Sequence, residues 1–388
     1  MLPEIKYNPV NWVDGMKISR NHFVDFENAV HDHLRDATGI NLTSYSYGLL
    51  PSNGNGPASI ELLISSDYSQ QLNVQLLTCR AVTNNGCRIE LLKSQPPLVL
   101  TTSASALIAT HQLGPAKDQF FYVVLSIQPF SRVPSGLPIM EELPPRHPFT
   151  LPTYALHLLP VGQVKAADFG AFHLVIGKLC LVNNELKAVI DYIPACTSVM
   201  SFPLLVNWYH HFGQVLSEIE VNSFKIIQKV KTRTQKSTLA DSIHLLAEKL
   251  VFALANNIIA YKWLIPQQPP IAMVEFLLRL VQNIKAVMEC LTDKDREELL
   301  AYLAEWSDLT PAVIEHKLNT SVNLQYNHLE IASLLTEVDG FFRIIAELFT
   351  KLSQLEFIGK KKGQGVFIIE NPVDDPTIEK PKPRWSPL

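Results

Sequence analysis

Between residues 331 and 352 the chain places apolar side chains at Ile331, Leu335, Val338, Phe342, Ile345, Phe349 and Leu352, in alternating steps of four and three. This spacing predicts a helix of three heptads carrying one continuous apolar seam. Such a seam must leave water, either by closing a bundle inside the chain or by clasping another chain. Periodicity is the same in both cases. A helix of about 25 residues is about 40 Å long, so its partners should form an elongated helical bundle rather than a cap on a sheet.

The partners are legible upstream. From about Pro203 the apolar repeat is helical, with one stripe through Leu205, Trp208, Phe212, Leu216, Ile219, Ile226 and Val230 and another through Leu239, Ile243, Leu246, Leu250 and Ile258. A third helix, IAMVEFLLRLVQNIKAVMECL, follows the Pro269-Pro270 break, and DREELLAYLAEW follows a Thr292-Asp293 cap. Thr310-Pro311 reads as a further N-cap and first helical position.

Before Pro203 the pattern is strand-like. After a short helix marked by Phe23, Phe26, Val30 and Leu34, apolar segments of strand length recur between turn signals. Asn84-Asn85-Gly86 separates QLNVQLLTCRAV from CRIELL, a hairpin cue because Asn and Gly tolerate positive φ. Asn183-Asn184 divides HLVIGKLCLV from ELKAVIDYI in the same way, and 119–130 and 154–160 read as further strands. The six prolines between 133 and 152 cannot donate to a central ladder, so that stretch is expected as an ordered surface crossing. The fold class is α+β: a β-rich domain over 1–200, an elongated helical bundle over 201–356, then a short hairpin turning at KKKGQG and a proline-rich tail over 357–388.

Composition narrows the function. With 388 residues and 47% hydrophobic content the chain can bury two or three cores. A net charge of -4 supplies no basic field for nucleic acid. Cys79, Cys87, Cys180, Cys196 and Cys290 are odd in number and show no CxxC spacing, which predicts reduced, buried thiols. The most apolar span, 250–265, is interrupted by Asn256, Asn257 and Lys262, and no membrane crossing is expected. The N-terminus has no uninterrupted apolar run of the secretory kind.

No residue pattern argues for catalysis, cofactor binding or a metal, and none is expected. His31 and His33 stand two apart on a helix and diverge, which predicts a solvated face. His210 and His211 are adjacent and diverge by about 100°; one should be exposed and the other at the rim of the bundle. No nucleophile sits in a GxSxG setting, though a triad drawn from distant residues would leave no sequence trace. KKKGQG lacks the GxxxxGK[ST] order of a phosphate loop. Trp208, Trp263, Phe341 and Phe342 lie on helical faces and read as core or interface.

Three ordered stretches carry a family resemblance. NWVDGMKISRNHF resembles the W-x-x-G-M-x-L-x-x-x-H-F opening of the TssK family of type VI secretion baseplate subunits, with Trp12, Gly15, Met16, His22 and Phe23 at matching positions and Ile18 for the usual leucine. YGLL at 47–50 is similar to that family's W-G-L element, with Tyr47 for Trp, and TNNGCRIE stands where it has a P-D-G turn. YNHLEIASLLTEV resembles the signature Y-D-H-D-D-L-x-x-x-F: Tyr326 and His328 match, Asn327, Leu329 and Glu330 depart, and Leu334 or Leu335 stands in for the phenylalanine.

The resemblance implies a shell domain like the shoulder of phage receptor-binding proteins, a helical neck, a homotrimer and no enzyme activity. It implies a cytoplasmic protein at the inner face of the inner membrane, whose shell engages the wedge proteins TssF and TssG and whose C-terminal head docks on the membrane subunits TssL and TssM. Trp12, His22 and Phe23 should then lock the N-terminal segment onto the shell, and Tyr326 and His328 should set the start of the last helix. Only 32 residues follow Glu356, where a head would need on the order of 100. The head is therefore expected to be missing or reduced, with the residual segment or another subunit as the membrane-side anchor. The rival reading is a phage-type receptor-binding or tail adaptor whose shell binds an external ligand.

Overall fold

The computed structural model describes residues 3–52, 58–66, 71–112, 119–164, 169–183, 185–232 and 237–358. The KKKGQG turn and the proline-rich tail lie outside these residues, as does Asn184. The chain divides into two compact units, Met1–Phe202 with His328–Ile331, and Pro203–Asn327 with Ala332–Leu388.

The first unit opens with α1 (Arg20–Ile40) and continues through β1 (Gly48–Leu49), β2 (Ile60–Ser66), β3 (Gln71–Val82), β4 (Arg88–Leu91), β5 (Leu98–Ser103) and α2 (Ala104–His111). It then runs through β6 (Gln119–Ser135), β7 (Phe149–Pro160), β8 (His173–Val182) and β9 (Glu185–Ala188). The long β3 is the spine of the first sheet. It pairs with β2 and β1 along one edge and with β5 and β4 along the other, all antiparallel. Its Leu72, Val74 and Leu76 are buried and the residues between them less so, as a strand with one inward face requires. The expected Asn84-Asn85-Gly86 turn joins β3 to β4, with Gly86 at φ 87°.

The second sheet has the order β7-β6-β8-β9, again antiparallel. Phe121 to Ile127 of β6 are buried without interruption, because this strand is central and covered on both faces. One face meets the first sheet: a Cβ on Gly177 of β8 would come within 2.9 Å of Leu62 of β2. The other carries a cluster of Tyr122, Val124, Phe169, Val175, Tyr192 and Leu329. The β8–β9 turn has Asn183 at φ 50°.

One expectation gains detail and one changes. The proline-rich surface crossing is ordered, and at its ends β6 and β7 continue as a two-stranded arm, with Val133 opposite Leu151 and Pro134 opposite Thr150. Among the described residues β8 pairs with β6 only as far as Ser126, so Pro134 lies beyond the central ladder, where the missing N–H of proline is tolerated. The helix expected to be short, α1, has 21 residues, and its burial is inverted relative to its apolar stripe. Phe23, Phe26, Val30 and Leu34 are exposed while Asn28, Asp32 and Arg35 are buried.

The second unit contains α3 (Pro203–Lys231), α4 (Thr238–Trp263), α5 (Pro270–Cys290), α6 (Asp293–Glu305), α7 (Pro311–Val322) and α8 (Ile331–Gln354). Pro203, Pro270 and Pro311 each occupy the first helical position, where a missing N–H is harmless. Ser237 and Thr292 cap α4 and α6 by accepting from Ala240 N and Asp295 N. The seven seam residues of α8 are all buried by this chain alone. Phe342 meets Phe212 of α3 edge-on at 6.3 Å. A polar ladder sets the register of the two helices: Asn222 donates to Thr350, Thr350 to Glu218, and Ser353 to Asn222. The seam therefore closes a bundle within one chain.

By length and composition α4 is apolar enough to cross a membrane. Leu239, Ile243, Leu246, Leu250, Leu254, Ile258 and Tyr261 are nevertheless buried among the other helices, and the Tyr261 hydroxyl donates to Tyr209 O of α3 at 2.7 Å.

Candidate functional site

Most of the residues singled out by the resemblance fall at two places in the first unit, while Tyr326 lies in the second. One is a clamp. Gly48 sits at φ 118°, and a Cβ there would lie 2.0 Å from Ala195 O, so only glycine lets the two backbones pass this closely. Leu49 N donates to Ala195 O at 2.8 Å and Thr197 N to Leu49 O at 2.9 Å. Residues 328–330 complete the arrangement. His328 is buried with Nε2 2.9 Å from Tyr47 O, and its ring stands edge-on to Tyr47 at 4.8 Å. Burial pushes the His328 imidazole down to about 4, against a smaller upward pull from the Tyr47 carbonyl. Burial also raises the Tyr47 phenol to about 12.

Two of the three residues that depart from the family signature, Leu329 and Glu330, also make contacts within the first unit. Leu329 enters the cluster with Tyr122 and Tyr192. The Glu330 carboxylate accepts from Tyr122 Oη at 2.7 Å and Lys178 Nζ at 2.6 Å. The same ammonium lies 5.1 Å from the Phe120 ring centroid. Burial, then the bond to Glu330, hold the Tyr122 phenol well above its ordinary range. His328 thus belongs to the β-rich unit, as a buried neutral donor. Tyr326, two residues earlier, is half-buried.

The second place is the N-terminal stretch. Gly15 takes φ 80° in a turn closed by Met16 N and Val13 O, and Met16 is half-buried. His22 Nδ1 accepts from Ser19 N at 3.2 Å, capping the start of α1. Trp12 packs near His22 and Phe23, at 6.2 and 6.3 Å, but Trp12 and Phe23 remain exposed. They do not lock the segment onto the shell. That task falls to Asp32, which sequence reasoning passed over as the middle of a solvated His-Asp-His face. Its Oδ2 accepts from Lys6 N at 2.6 Å and Tyr7 N at 3.2 Å, while Oδ1 pairs with Arg35. Burial pushes the Asp32 carboxyl up, yet the Lys6, Arg35 and Tyr7 hydrogen bonds outweigh it and hold it below the ordinary value. His31 and His33 are exposed on either side.

Neither His210 nor His211 is fully exposed; His211 Nε2 lies 2.5 Å from Asp339 of α8, which also accepts from Arg343. Trp208 stacks on Phe212, Phe341 and Phe342 are core, and Trp263 is exposed. Cys79, Cys87 and Cys196 are buried free thiols, whereas Cys290 is exposed. Among the described residues no group of three His, Cys, Asp or Glu side chains is placed to hold a metal.

Fold and clamp together define a class: an α+β chain with a two-sheet N-terminal unit that takes back the segment preceding the last helix, and a separate helical unit. Within that class the fold is TssK-like. A crystal structure of TssK matches over 87% of this chain and 68% of its own, with 13% identity and a TM-score of 0.52. TssK from the type VI secretion system of EAEC, in complex with a nanobody, matches over 84% and 99% (13% identity, TM-score 0.46). A chain of the TssK-TssF-TssG baseplate subcomplex matches over 90% and 100% (14% identity, TM-score 0.45). No protein-family model and no curated protein matches the sequence.

Proposed function

We propose that this chain is a structural baseplate subunit of a type VI secretion system, a TssK-like protein that acts by holding other subunits rather than by catalysis. The observation that carries this reading is a coincidence of order. The fold follows TssK across 87% of the chain, and the three stretches resembling the family lie along it in the family's order. On this reading the copies form a trimer in the cytoplasm, at the inner face of the inner membrane. The first unit engages TssF and TssG, and a membrane-side subunit is reached through the C-terminal segment or a separate protein. Several weak contacts presented together give such an adaptor its grip, because each raises the effective concentration of the next.

The α8 seam is consumed internally, so other surfaces must join the copies. In the helical unit α4 leaves Phe252, Ile259 and Trp263 exposed, spaced seven and four residues apart along one side. Mass photometry of the full chain tests the assembly. A species of three times the 43.6 kDa chain mass supports the reading, and a clean monomer at micromolar concentration opposes it.

A further inference from the structure

A groove of about 1740 Å³ runs through the first unit between α1, the β3–β4 turn and the β6–β7 arm. Its lining is poor in donors, with Phe130, Phe149 and Tyr154 beside six prolines, which have no N–H. Charge in the groove is unbalanced. Five arginines line it against three glutamates, on a chain whose net charge is -4. Those glutamates are already paired, Glu27 with Arg132, Glu90 with Arg88 and Glu142 with Arg146. Burial, then the Arg132 charge, hold the His31 imidazole in the same wall below its ordinary value. Arg35 is the most buried of the arginines, its side chain 4% exposed. Its Nε donates to Asp32 at 2.9 Å, but neither terminal nitrogen has a hydrogen-bond partner among the described residues, and Asp36 stands 3.9 Å away, beyond hydrogen-bond reach. A buried guanidinium whose outer edge is unmet is costly. That planar edge is the one a carboxylate fits with two parallel bonds.

We propose that this groove binds a small organic carboxylate with an apolar body, its oxygens held by the terminal nitrogens of Arg35 and its body lying against Phe130, Phe149 and Tyr154. The bond is strong because the pair meets away from water. A single charge suits the site. The arginines exceed the glutamates by two, Asp32 behind Arg35 offsets one of these, and a monoanion balances the remainder where a phosphate dianion would overshoot it. A free molecule also fits better than an acidic side chain of another protein. Such a segment would bring peptide N–H and C=O groups against a wall of prolines and rings, where they lose water without gaining partners. The space suffices, since small-ligand sites commonly measure about 300–1000 Å³. The seat is preformed: a Cβ on Gly86 would lie 2.2 Å from Arg35 O, so the helix is pressed on the β3–β4 turn, and Asp32 fixes the guanidinium. Little ordering cost therefore opposes binding. The site is independent of the baseplate role proposed above.

Isothermal titration of the full chain with phenylbutyrate tests this, with acetate and phenylbutanol as probes that each lack half of the ligand. Phenylbutyrate is expected to bind at one site per chain and at least about tenfold more tightly than either probe, the margin that charge-assisted hydrogen bonds supply. Arg35→Lys keeps the charge beside Asp32 but loses the planar edge. Phe149→Glu places a negative charge in the wall at a position 69% exposed in the folded chain. Each should weaken phenylbutyrate at least about tenfold, the second with an unchanged melting temperature, so it decides the matter even where Arg35→Lys does not fold. Equal binding of phenylbutanol and phenylbutyrate would overturn the site, leaving an apolar groove with no part for Arg35. Phenylbutyrate binding untouched by Phe149→Glu, or by a folded Arg35→Lys, would overturn it as well. No binding up to about 10 mM would mean that water alone serves the Arg35 nitrogens. A capped acidic tetrapeptide that binds more tightly than phenylbutyrate, and is lost with Phe149→Glu, would give the groove to a segment of another protein and also refute the proposal.

Discussion

His328 makes the clamp sensitive to acid, with a magnitude that follows from its surroundings. An exposed histidine titrates near 6.5, while burial holds His328 near 4 in the folded chain. Between these values the unfolded chain binds a proton that the folded chain refuses. Stability from this group is therefore complete above about pH 6.5 and declines as pH falls, by about 1.4 kcal/mol per unit, reaching a total loss of about 3 kcal/mol near pH 4. Between pH 7.5 and 5 the loss is about 2 kcal/mol. Urea unfolding of wild type and His328→Gln at these two pH values isolates the effect, since other titrating groups cancel in the comparison. The variant should be less stable at pH 7.5, having lost ring packing against Tyr47. It should also lose about 2 kcal/mol less than wild type on acidification. Equal pH dependence in the two proteins would refute the argument that His328 is held neutral by the clamp.

Other substitutions probe the remaining contacts. Phe342→Ala opens a cavity against Phe212 and should cost about 3–5 kcal/mol, read as a lowered unfolding midpoint of the helical unit; a surface-like effect below about 0.5 kcal/mol would mean the seam is not internal. Asp32→Ala removes the acceptor for Lys6 N and Tyr7 N and leaves Arg35 only its longer pairing with Asp36. Amide exchange at residues 6 and 7 should accelerate and stability should fall by about 1–3 kcal/mol, whereas unchanged exchange would show the segment is held elsewhere. Gly48→Ala places a Cβ against Ala195 O at a strained φ, so soluble yield or melting temperature should drop; a neutral result would contradict the close backbone passage.

The sequence made the helical unit legible almost helix by helix, because Pro203, Pro269-Pro270, Thr292 and Thr310-Pro311 mark boundaries that no tertiary contact can erase. The Asn84-Asn85-Gly86 hairpin was legible for a similar local reason. The face that α1 presents to the shell was not. Periodicity reveals that a helix is two-sided, but burial of Asn28, Asp32 and Arg35 depends on partners at Arg132 and at the Lys6 and Tyr7 amides, which no local pattern announces. Likewise the a/d spacing of α8 was visible, yet the closure of its seam inside the chain depends on α3 offering Phe212 and the Asn222 ladder in the right register. At the clamp, Tyr47, Gly48 and His328 stood out through family resemblance alone. Leu329 and Glu330 were passed over as departures from it, although they supply the apolar plug and the acceptor for Tyr122 and Lys178.

The most direct test of the proposed baseplate function is co-expression of the full chain with TssF and TssG from the same source, followed by affinity capture and mass measurement of the eluate. The account predicts a stable complex containing both wedge proteins and more than one copy of this chain. Recovery of this chain alone, with TssF and TssG associating only with each other, would contradict it.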